Sequence, residues 1–302
     1  MKIIIFGSFQ GKISWLAKIM HDYLKEIWNI KIVDCDIRDI QQVESVIIKE
    51  NPRIVIIASA ITGGINKNGR FNVDWCERNK AETDAVNVAG VYNIMKACPE
   101  KNIHVIFLST AYIFEAMKPK KIGFKENDPI TKRPLSIYSR SKLEAERIIK
   151  DYRSKKRTFL ILRLNMPIHS VPHSEKNLID KLKFSKLLVG DRSSITIISK
   201  FLEALKLLIR QRRRGIFNIV SPGPISPFEL MEMYRCHVDS DHKKFNLTTQ
   251  EELIQKGLIK AIRPSIVLNC EKIKKVFEES GLKWQRTKFL VPKILSEYKD
   301  NK

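Results

Sequence analysis

The sequence predicts an α/β chain built on a doubly wound parallel sheet and continued by a smaller C-terminal lobe. Two observations carry this. Short apolar runs at 2–6, 30–33, 53–60, 103–108 and 158–164, the first closed by Gly7 and the third by small residues, read as strands buried on both faces. Between them, helical periodicity covers about 13–24, 40–50, 77–97 and 138–152, and strands alternating with helices at this spacing form parallel units.

At 302 residues, with 43% apolar and 29% charged side chains, the chain can bury a sizeable core. No apolar run approaches the ~18 residues of a transmembrane helix, and M-K-I-I-I-F-G is too short an apolar start for a signal peptide. No membrane partner is expected. The five cysteines, Cys35, Cys76, Cys98, Cys236 and Cys270, are scattered without a C-x-x-C pair. Neither a disulfide framework nor a zinc site is expected, which points to a reducing, cytoplasmic setting. A net charge of +22 raises nucleic acid as a partner. The basic residues are spread along the chain, however, with one tight cluster at 212–214 and no RNA-binding aromatic signature. A positive field also suits an anionic nucleotide substrate.

The first strand ends at Gly7, and Gly11 precedes a helix carrying Leu16, Ala17, Ile19, Met20 and Leu24 on its apolar face. Strand, glycine turn and helix make a dinucleotide-binding start, with backbone free to approach a pyrophosphate at the helix N-terminus. Gly7, Gly11 and Ser14, spaced by four and three, match no standard glycine fingerprint. The second strand runs into D-C-D-I-R-D. Asp34 there would grip a ribose 2′-hydroxyl and favour NADH, whereas Arg38 would meet a 2′-phosphate and favour NADPH. The third strand ends in Ala58, Ser59 and Ala60, small enough for backbone contact with a cofactor. The Gly- and Asn-rich stretch 61–72 reads as an exposed loop.

Strand 103–108 leads to Thr110, and the following helix carries Tyr138 and Lys142, four apart on one face. An ammonium beside a phenol favours the phenolate and lowers a pKa that starts near ~10. Tyr138 is then a proton donor or acceptor at neutral pH, and the Thr110 hydroxyl would hold a carbonyl oxygen. Thr, Tyr and Lys in this order are the working set of a ketone/alcohol oxidoreductase, although Y-x-x-x-K alone is common on exposed helices. Sheets of this type bind ligands at the C-terminal ends of their strands, where Gly7, 58–60 and Thr110 all fall. Beyond Pro167 come a helix at about 197–211, a strand in G-I-F-N-I-V, a turn in S-P-G-P and a helix at 226–235. The expected division is a dinucleotide-binding domain over 1–166 and a substrate lobe over 167–302, interleaved with it.

Several stretches together resemble the extended short-chain dehydrogenase/reductases. They are N-V-D-W-C-E at 72–77, N-V-A-G at 87–90, G-F-K-E-N-D at 123–128, Y-S-R-S-K at 138–142 and L-R-L-N-M-P-I at 162–168, with G-I-F-N-I-V-S-P-G and E-L-M-E-M-Y-R within 215–235. Within that family the chain is similar to the nucleotide-rhamnose synthase/epimerase-reductases, and next to the dTDP-4-dehydrorhamnose reductases. The resemblance covers nearly the whole length. It implies a Rossmann-type fold and an NAD(P)H-dependent reduction at C4 of a UDP- or dTDP-linked 4-keto-6-deoxy sugar. Thr110, Tyr138 and Lys142 become the reductase triad. Gly7, Ser8, Gln10, Gly11, Asp36, Ile37, Ala58, Ser59, Ala60, Met166 and Ile168 match cofactor-contacting positions, joined by Tyr138 and Lys142. Thr110, Asn165 and Arg263 fall at substrate positions. The resemblance favours NADPH, with NADH left open, and leaves a homodimer open.

Three departures stand out. The glycine turn carries one extra residue and Ser14 in place of a final Gly. The loop near 65–70 is longer than its counterparts. T-A-Y-I-F-E at 110–115 places Tyr112 where the epimerase-reductases resemble T-G-C-I-F-E and offer a cysteine as acid/base. The partner base has a match in Lys181 of N-L-I-D-K. Epimerisation needs two such groups, so a reductase is expected, with 3,5-epimerase activity open. The rival reading is a non-catalytic relative of the same fold that acts by binding a partner.

Overall fold

The apolar runs fold as expected into the strands of one central sheet. The protein's computed structural model describes residues 1–65, 71–98, 103–118, 120–151, 158–173, 176–258 and 265–302. Strands β1 (Lys2–Phe9) and β2 (Lys12–Ile13) lead to α1 (Trp15–Leu24), β3 (Asn29–Asp34), α2 (Ile40–Glu50) and β4 (Ile54–Ile57). A short antiparallel pair, β5 (Gly64–Ile65) with β6 (Phe71–Asn72), precedes α3 (Trp75–Arg78), α4 (Lys80–Asp84) and α5 (Gly90–Ala97). Next come β7 (His104–Thr110), α6 (Ile137–Asp151), β8 (Thr158–Leu164), β9 (Pro167–Ile168) and α7 (Leu178–Leu182). Then follow β10 (Leu187–Val189), β11 (Thr196–Ile197), α8 (Ile198–Arg210) and β12 (Gly215–Asn218). The chain closes with α9 (Pro227–His237), β13 (Asn246–Thr248), α10 (Gln250–Gln255), α11 (Glu271–Glu278) and α12 (Thr287–Asp300). No helix among the described residues is long and apolar enough to cross a membrane.

Two units form. The first comprises Met1–Ile113, Arg133–Arg163 and Lys206–Phe217; the second comprises Phe114–Lys132, Leu164–Leu205 and Asn218–Lys302. In the first, the sheet runs β12-β8-β7-β4-β1-β2, with β3 also paired to β1. The β1–β3, β1–β4 and β4–β7 pairs are parallel. The chain therefore leaves β1 for β3 on one side and returns to β4 on the other, so the topological switch point lies between β1 and β4. One face of the sheet, with Ile4, Phe6, Val55, Ile57, Val105, Phe107 and Ile161, packs on Val43 and Ile47 of α2, Ile94 of α5 and Ile149 of α6. These strands are apolar on both faces because helices cover both.

Two expectations shift. Strand β1 does not stop at Gly7 but runs on to Phe9, where it pairs antiparallel with β2 through Ser8↔Ile13 and Phe9↔Lys12. The two-residue turn has positive φ at both Gln10 (50°) and Gly11 (74°), the geometry whose twist suits a tight hairpin. The irregular glycine spacing is thus the spacing of a hairpin, closed at its base by Ser14 N donating to Gly7 O at 2.7 Å. Gly7 is required for a different reason. A Cβ there would lie 2.5 Å from the Ala17 Cβ, so α1 could not approach β1. The second shift is at 77–97, where the single expected helix is broken into α3, α4, a π-helical turn at Ala85–Ala89, and α5. The widened turn carries the buried Asn87, a residue whose side chain bonds outside its own helix.

The second unit has its own core, where Ile168, Ile179, Leu188, Ile197 and Ile225 meet Leu230, Met231 and Tyr234 of α9 and Val291, Leu295 and Tyr298 of α12. Two small parallel pairs, β9 with β11 and β10 with β13, complete it. Helix α9 starts on a capping box of Ser226 and Glu229, with Pro227 in its first turn.

Candidate active site

At the C-terminal end of β7 the first unit brings Thr110, Tyr138 and Lys142 together. Helix α6 begins on two side-chain caps: Ser136 Oγ accepts from Ser139 N at 3.2 Å, and Glu77 Oε1, from α3, accepts from Ile137 N at 2.7 Å. Tyr138 sits in that first turn and is half-buried, while Lys142 lies one turn on, 3% exposed. Thr110 is 5% exposed, and its Oγ1 accepts from Tyr112 N at 3.3 Å. The hydroxyl keeps a second lone pair and its own hydrogen for other partners. It is a hydrogen-bond partner of the Tyr138 phenol.

The electrostatics differ from the simple expectation. Burial pushes the Tyr138 phenol well above its ordinary value of 10, with smaller pushes from Cys76 and Tyr112 and a partial pull downward by Thr110. Lys142 does not reverse this, because burial acts on it too and lowers its ammonium to about 7, against the opposing pull of Glu146. The Lys142 Nζ lies 4.1 Å from the centroid of the Phe107 ring, a cation–π contact in a dry place. Desolvation outweighs the pairwise attraction on which the sequence argument rests.

The dinucleotide half is equally ordered. Asp34 does not stand free at the end of β3: its Oδ1 accepts from Ser8 Oγ at 3.1 Å and its Oδ2 from Gly11 N at 3.0 Å, clamping the β1–β2 hairpin. Ser14 caps α1 by accepting from Ala17 N at 3.2 Å and donates to Ala58 O at 3.4 Å. Asp36 and Arg38 form a two-pronged pair, with Nη2–Oδ2 at 2.7 Å and Nε–Oδ1 at 2.8 Å, and the guanidinium lies over the Phe9 ring. Asn93 Nδ2 holds the Ile37 and Arg38 carbonyls at 3.0 and 2.9 Å. Ser59 and Ala60 follow β4, half-buried.

In the second unit, Met166 has a positive φ of 41°, Ile168 is fully buried, and Asn165 is 3% exposed. Asn165 Nδ2 donates to Ser194 O at 2.8 Å and Ile266 O at 3.4 Å, while its buried Oδ1 has no partner among the described residues. Lys181 lies on the exposed face of α7. That helix is anchored by Asn177, whose Nδ2 holds the His169 and Val171 carbonyls at 2.9 and 3.2 Å, and by Asp180, which accepts from Tyr298 Oη and Lys183 Nζ at 2.6 Å each. Arg263 and the 66–70 stretch of the loop lie outside the described residues.

Several working side chains escape sequence reasoning. Asn87 Oδ1 accepts from Ile61 N at 2.8 Å, and its Nδ2 donates to Ile61 O at 2.9 Å and Ser141 Oγ at 3.0 Å. Ser141 Oγ in turn donates to Tyr138 O at 2.8 Å. Asn87 thereby joins the segment after β4 to the turn that carries Tyr138. Beneath Lys142, Glu146 is fully buried against Ser109 and Arg163. The available signals were an Arg inside the apolar run T-F-L-I-L-R-L and a Glu four residues after Lys142.

The residues present fit a nicotinamide dinucleotide. The positive-φ hairpin and the Gly7 close approach shape the end of β1 beside the switch point, and the buried Lys142 amine can donate to ribose hydroxyls. Comparison with known proteins agrees in kind. The sequence profile of the RmlD substrate binding domain matches residues 1–288. A bifunctional dTDP-4-dehydrorhamnose 3,5-epimerase/dTDP-4-dehydrorhamnose reductase of Arabidopsis thaliana is 33% identical over 80% of this chain and 77% of its own length. A trifunctional UDP-glucose 4,6-dehydratase/UDP-4-keto-6-deoxy-D-glucose 3,5-epimerase/UDP-4-keto-L-rhamnose-reductase of the same plant is 31% identical over 90% of this chain, which spans 38% of that relative's length. Among solved structures, the L780 UDP-rhamnose synthase of Acanthamoeba polyphaga mimivirus superposes with a TM-score of 0.81 at 22% identity, covering 98% of this chain and 99% of that one. A Bacillus anthracis dTDP-4-dehydrorhamnose reductase in complex with NADP gives a TM-score of 0.77 at 20% identity, covering 100% and 99%. The structural likeness shows the shared Rossmann-type fold.

Proposed function

Because the chain belongs to the RmlD substrate binding domain family, we propose that it is an NADPH-dependent reductase acting at C4 of a nucleotide-linked 4-keto-6-deoxyhexose, in the making of an L-rhamnose-type sugar nucleotide. The observation that carries this reading is the meeting of Thr110, Tyr138 and a dry Lys142 at the end of β7. NADPH, when bound, supplies the hydride. Thr110, whose Oγ1 accepts from the Tyr112 amide, donates its hydroxyl hydrogen to the ketone oxygen. Tyr138 gives its proton to that oxygen as it becomes an alcohol, and its raised pKa keeps the phenol protonated beforehand. Lys142 holds the nicotinamide ribose hydroxyls.

We assign the dinucleotide to the first unit, with Gly7, Ser8, Gln10 and Gly11 of the hairpin at the pyrophosphate, Asp36 and Ile37 at the adenosine, and Ala58, Ser59 and Ala60 beside them. Arg38, held over Phe9 by its pair with Asp36, is our reader of a 2′-phosphate, while Asp34 clamps the hairpin through Ser8 and Gly11. NADH remains an accepted alternative on this assignment. For the second unit we propose Met166 and Ile168 as cofactor-binding residues, and Asn165 and Arg263 as residues for the UDP- or dTDP-linked sugar. A cytoplasmic setting suits five cysteines none of which is joined in a disulfide among the described residues, and a homodimer is compatible with the reading.

The test is oxidation of NADPH by the purified protein with UDP-4-keto-6-deoxyglucose, given directly or after separate 3,5-epimerisation, with the product sugar identified by NMR. Turnover of the epimerised sugar alone makes the protein a plain 4-reductase. An L-rhamnose product from the direct substrate adds epimerase activity and assigns it to Tyr112 and Lys181, in which case Lys181→Met should stop deuterium uptake at C3 and C5 in heavy water while reduction continues. Absence of oxidation together with absence of both NADPH and NADH binding would refute the enzyme reading.

A further inference from the structure

Lys142 is 3% exposed and stands over an aromatic ring rather than a carboxylate. An ammonium in such a place loses its proton readily unless a negative charge is fixed nearby. One turn further along α6 is Glu146, with no exposed surface. Four donors hold its carboxylate. Ser109 Oγ and Arg163 Nε reach Oε1 at 2.6 and 2.9 Å, and Arg163 Nη2 and Lys150 Nζ reach Oε2 at 2.8 and 3.1 Å. Burial pushes the Glu146 carboxyl up, but the Arg163 charge, with the Lys150 and Ser109 contacts, outweighs it and keeps the group below its ordinary 4.5. Glu146 is therefore an ionised acid in a dry interior.

A buried acid–guanidinium pair adds little net stability over apolar side chains of the same volume, so packing alone is a poor account of it. Its place in the site is more telling. The ladder Tyr138, Lys142, Glu146 and Lys150 climbs one face of α6 at four-residue steps. The elements packed against α6 bring Phe107, Ser109 and Thr110 on β7, Cys76 and Glu77 on α3, Asp84 on α4 and Asn87 on the π-turn, with Arg163 beneath on β8 and Tyr112 after β7. Helix α5, also packed on α6, carries Tyr92 and Lys96 but no acid; of the acids on the other elements, Glu77 caps α6 at Ile137 N, Asp84 pairs with Lys80, and Glu82 is exposed and acts on Arg38. Glu146 is the acid whose charge acts on Lys142.

Resting on the reductase reading, we propose that Glu146, fixed by Ser109 and Arg163, is a positioning residue for the reaction: the buried counter-charge that keeps Lys142 an ammonium and so preserves its grip on the cofactor ribose and its influence on Tyr138. The test uses the full chain as wild type, Glu146→Asp, Glu146→Gln, and the double variant Glu146→Gln with Arg163→Met, which leaves no unpaired guanidinium if the single variant fails to fold. NADPH dissociation constants are measured by fluorescence across neutral and alkaline pH, beside melting curves and the pH profile of kcat/KM. Affinity falls as pH rises through the lysine's titration. Removing the carboxylate charge should move that fall to lower pH by about one unit, with the alkaline limb of kcat/KM moving alike, while Glu146→Asp stays near wild type. Folded Gln variants that lose melting temperature but keep the wild-type pH position would overturn the proposal and leave Glu146 a packing residue. A wild type that binds neither NADPH nor NADH at any pH would instead overturn the reductase reading, and this proposal with it.

Discussion

Replacing Asn87 by Leu keeps the volume and removes only polar contacts, which makes it a clean probe of how the site is held. Three hydrogen bonds disappear, two to the Ile61 backbone and one to Ser141 Oγ. At about 1 kcal/mol each the direct loss is roughly 3 kcal/mol, and a partly stranded Ile61 amide adds about 1 kcal/mol more. Ile61 is half-buried, so water recovers part of this, while Ser141 stays paired through its own bond to Tyr138 O. The expected net cost is about 2–4 kcal/mol, a substantial part of the ~5–15 kcal/mol typical of a folded domain. Urea denaturation of the variant should show it as a lower midpoint at an unchanged slope. Activity should suffer more than folding, because the lost bond chain ends on the turn that carries Tyr138, and a misplacement of about 1 Å at a reacting group costs about 100-fold in rate. A variant destabilised by less than about 1 kcal/mol, with unchanged kcat, would show that Asn87 is dispensable and that α6 is held by its caps alone.

Tyr138→Phe should cut kcat by about 100- to 10,000-fold and leave NADPH affinity nearly intact by fluorescence titration; unchanged turnover would remove the phenol from the proton transfer. Gly7→Ala places a methyl carbon 2.5 Å from the Ala17 Cβ, so a fall of about 1–3 kcal/mol in unfolding free energy is expected together with weaker NADPH binding, and wild-type values for both would contradict the close approach of α1 to β1. Glu50 is held by Lys2 and Lys31 at 2.7 and 2.6 Å, and hydrogen bonds to these lysines draw its carboxyl from 4.5 to about 2. A group lowered in the folded state contributes stability above its unfolded value and loses it as pH falls. Urea midpoints should therefore drop for wild type between about 4.5 and about 2 more steeply than for Glu50→Gln; parallel acid limbs would show the two bridges to be without effect.

Much of the sheet is readable from residue pattern alone. The strands at 30–33, 103–108 and 158–164 and the helix at 40–50 match β3, β7, β8 and α2 to within two residues at either end, because strands covered on both faces are simply apolar runs. Thr110 at the end of β7 and the Tyr138–Lys142 spacing were legible for the same reason, being local. What could not be read depends on contacts far apart in the chain. Asn87 bonds to Ile61, 26 residues away, and to Ser141, 54 residues away; nothing in a continuous helical pattern marks the π-turn that aims it there. The hairpin at Gln10–Gly11 was obscured differently. A non-glycine residue at positive φ gives no sign of itself in sequence, so a regular two-residue turn looked like a damaged glycine motif. Asp34 seemed available for a ribose until its two bonds to the hairpin were known.

The charge state of the site is the point at which sequence and structure part most instructively. Tyr and Lys four apart suggest an ammonium that acidifies a phenol, yet in the protein alone both groups are pressed toward their neutral forms by the same dry surroundings. Burial draws the Lys142 ammonium down to about 7, so its charge depends on what binds beside it. On the proposed function, ribose hydroxyls accepting from Nζ would stabilise the ammonium form specifically, and the charge so gained would act on Tyr138. On that reading the acid of this site would be tuned by occupancy rather than by spacing. The four-residue step supplies proximity, Glu146 supplies the fixed negative charge beneath it, and burial makes each of these influences strong because little water is present to screen them. A surface copy of Y-x-x-x-K would have the same spacing and none of these consequences.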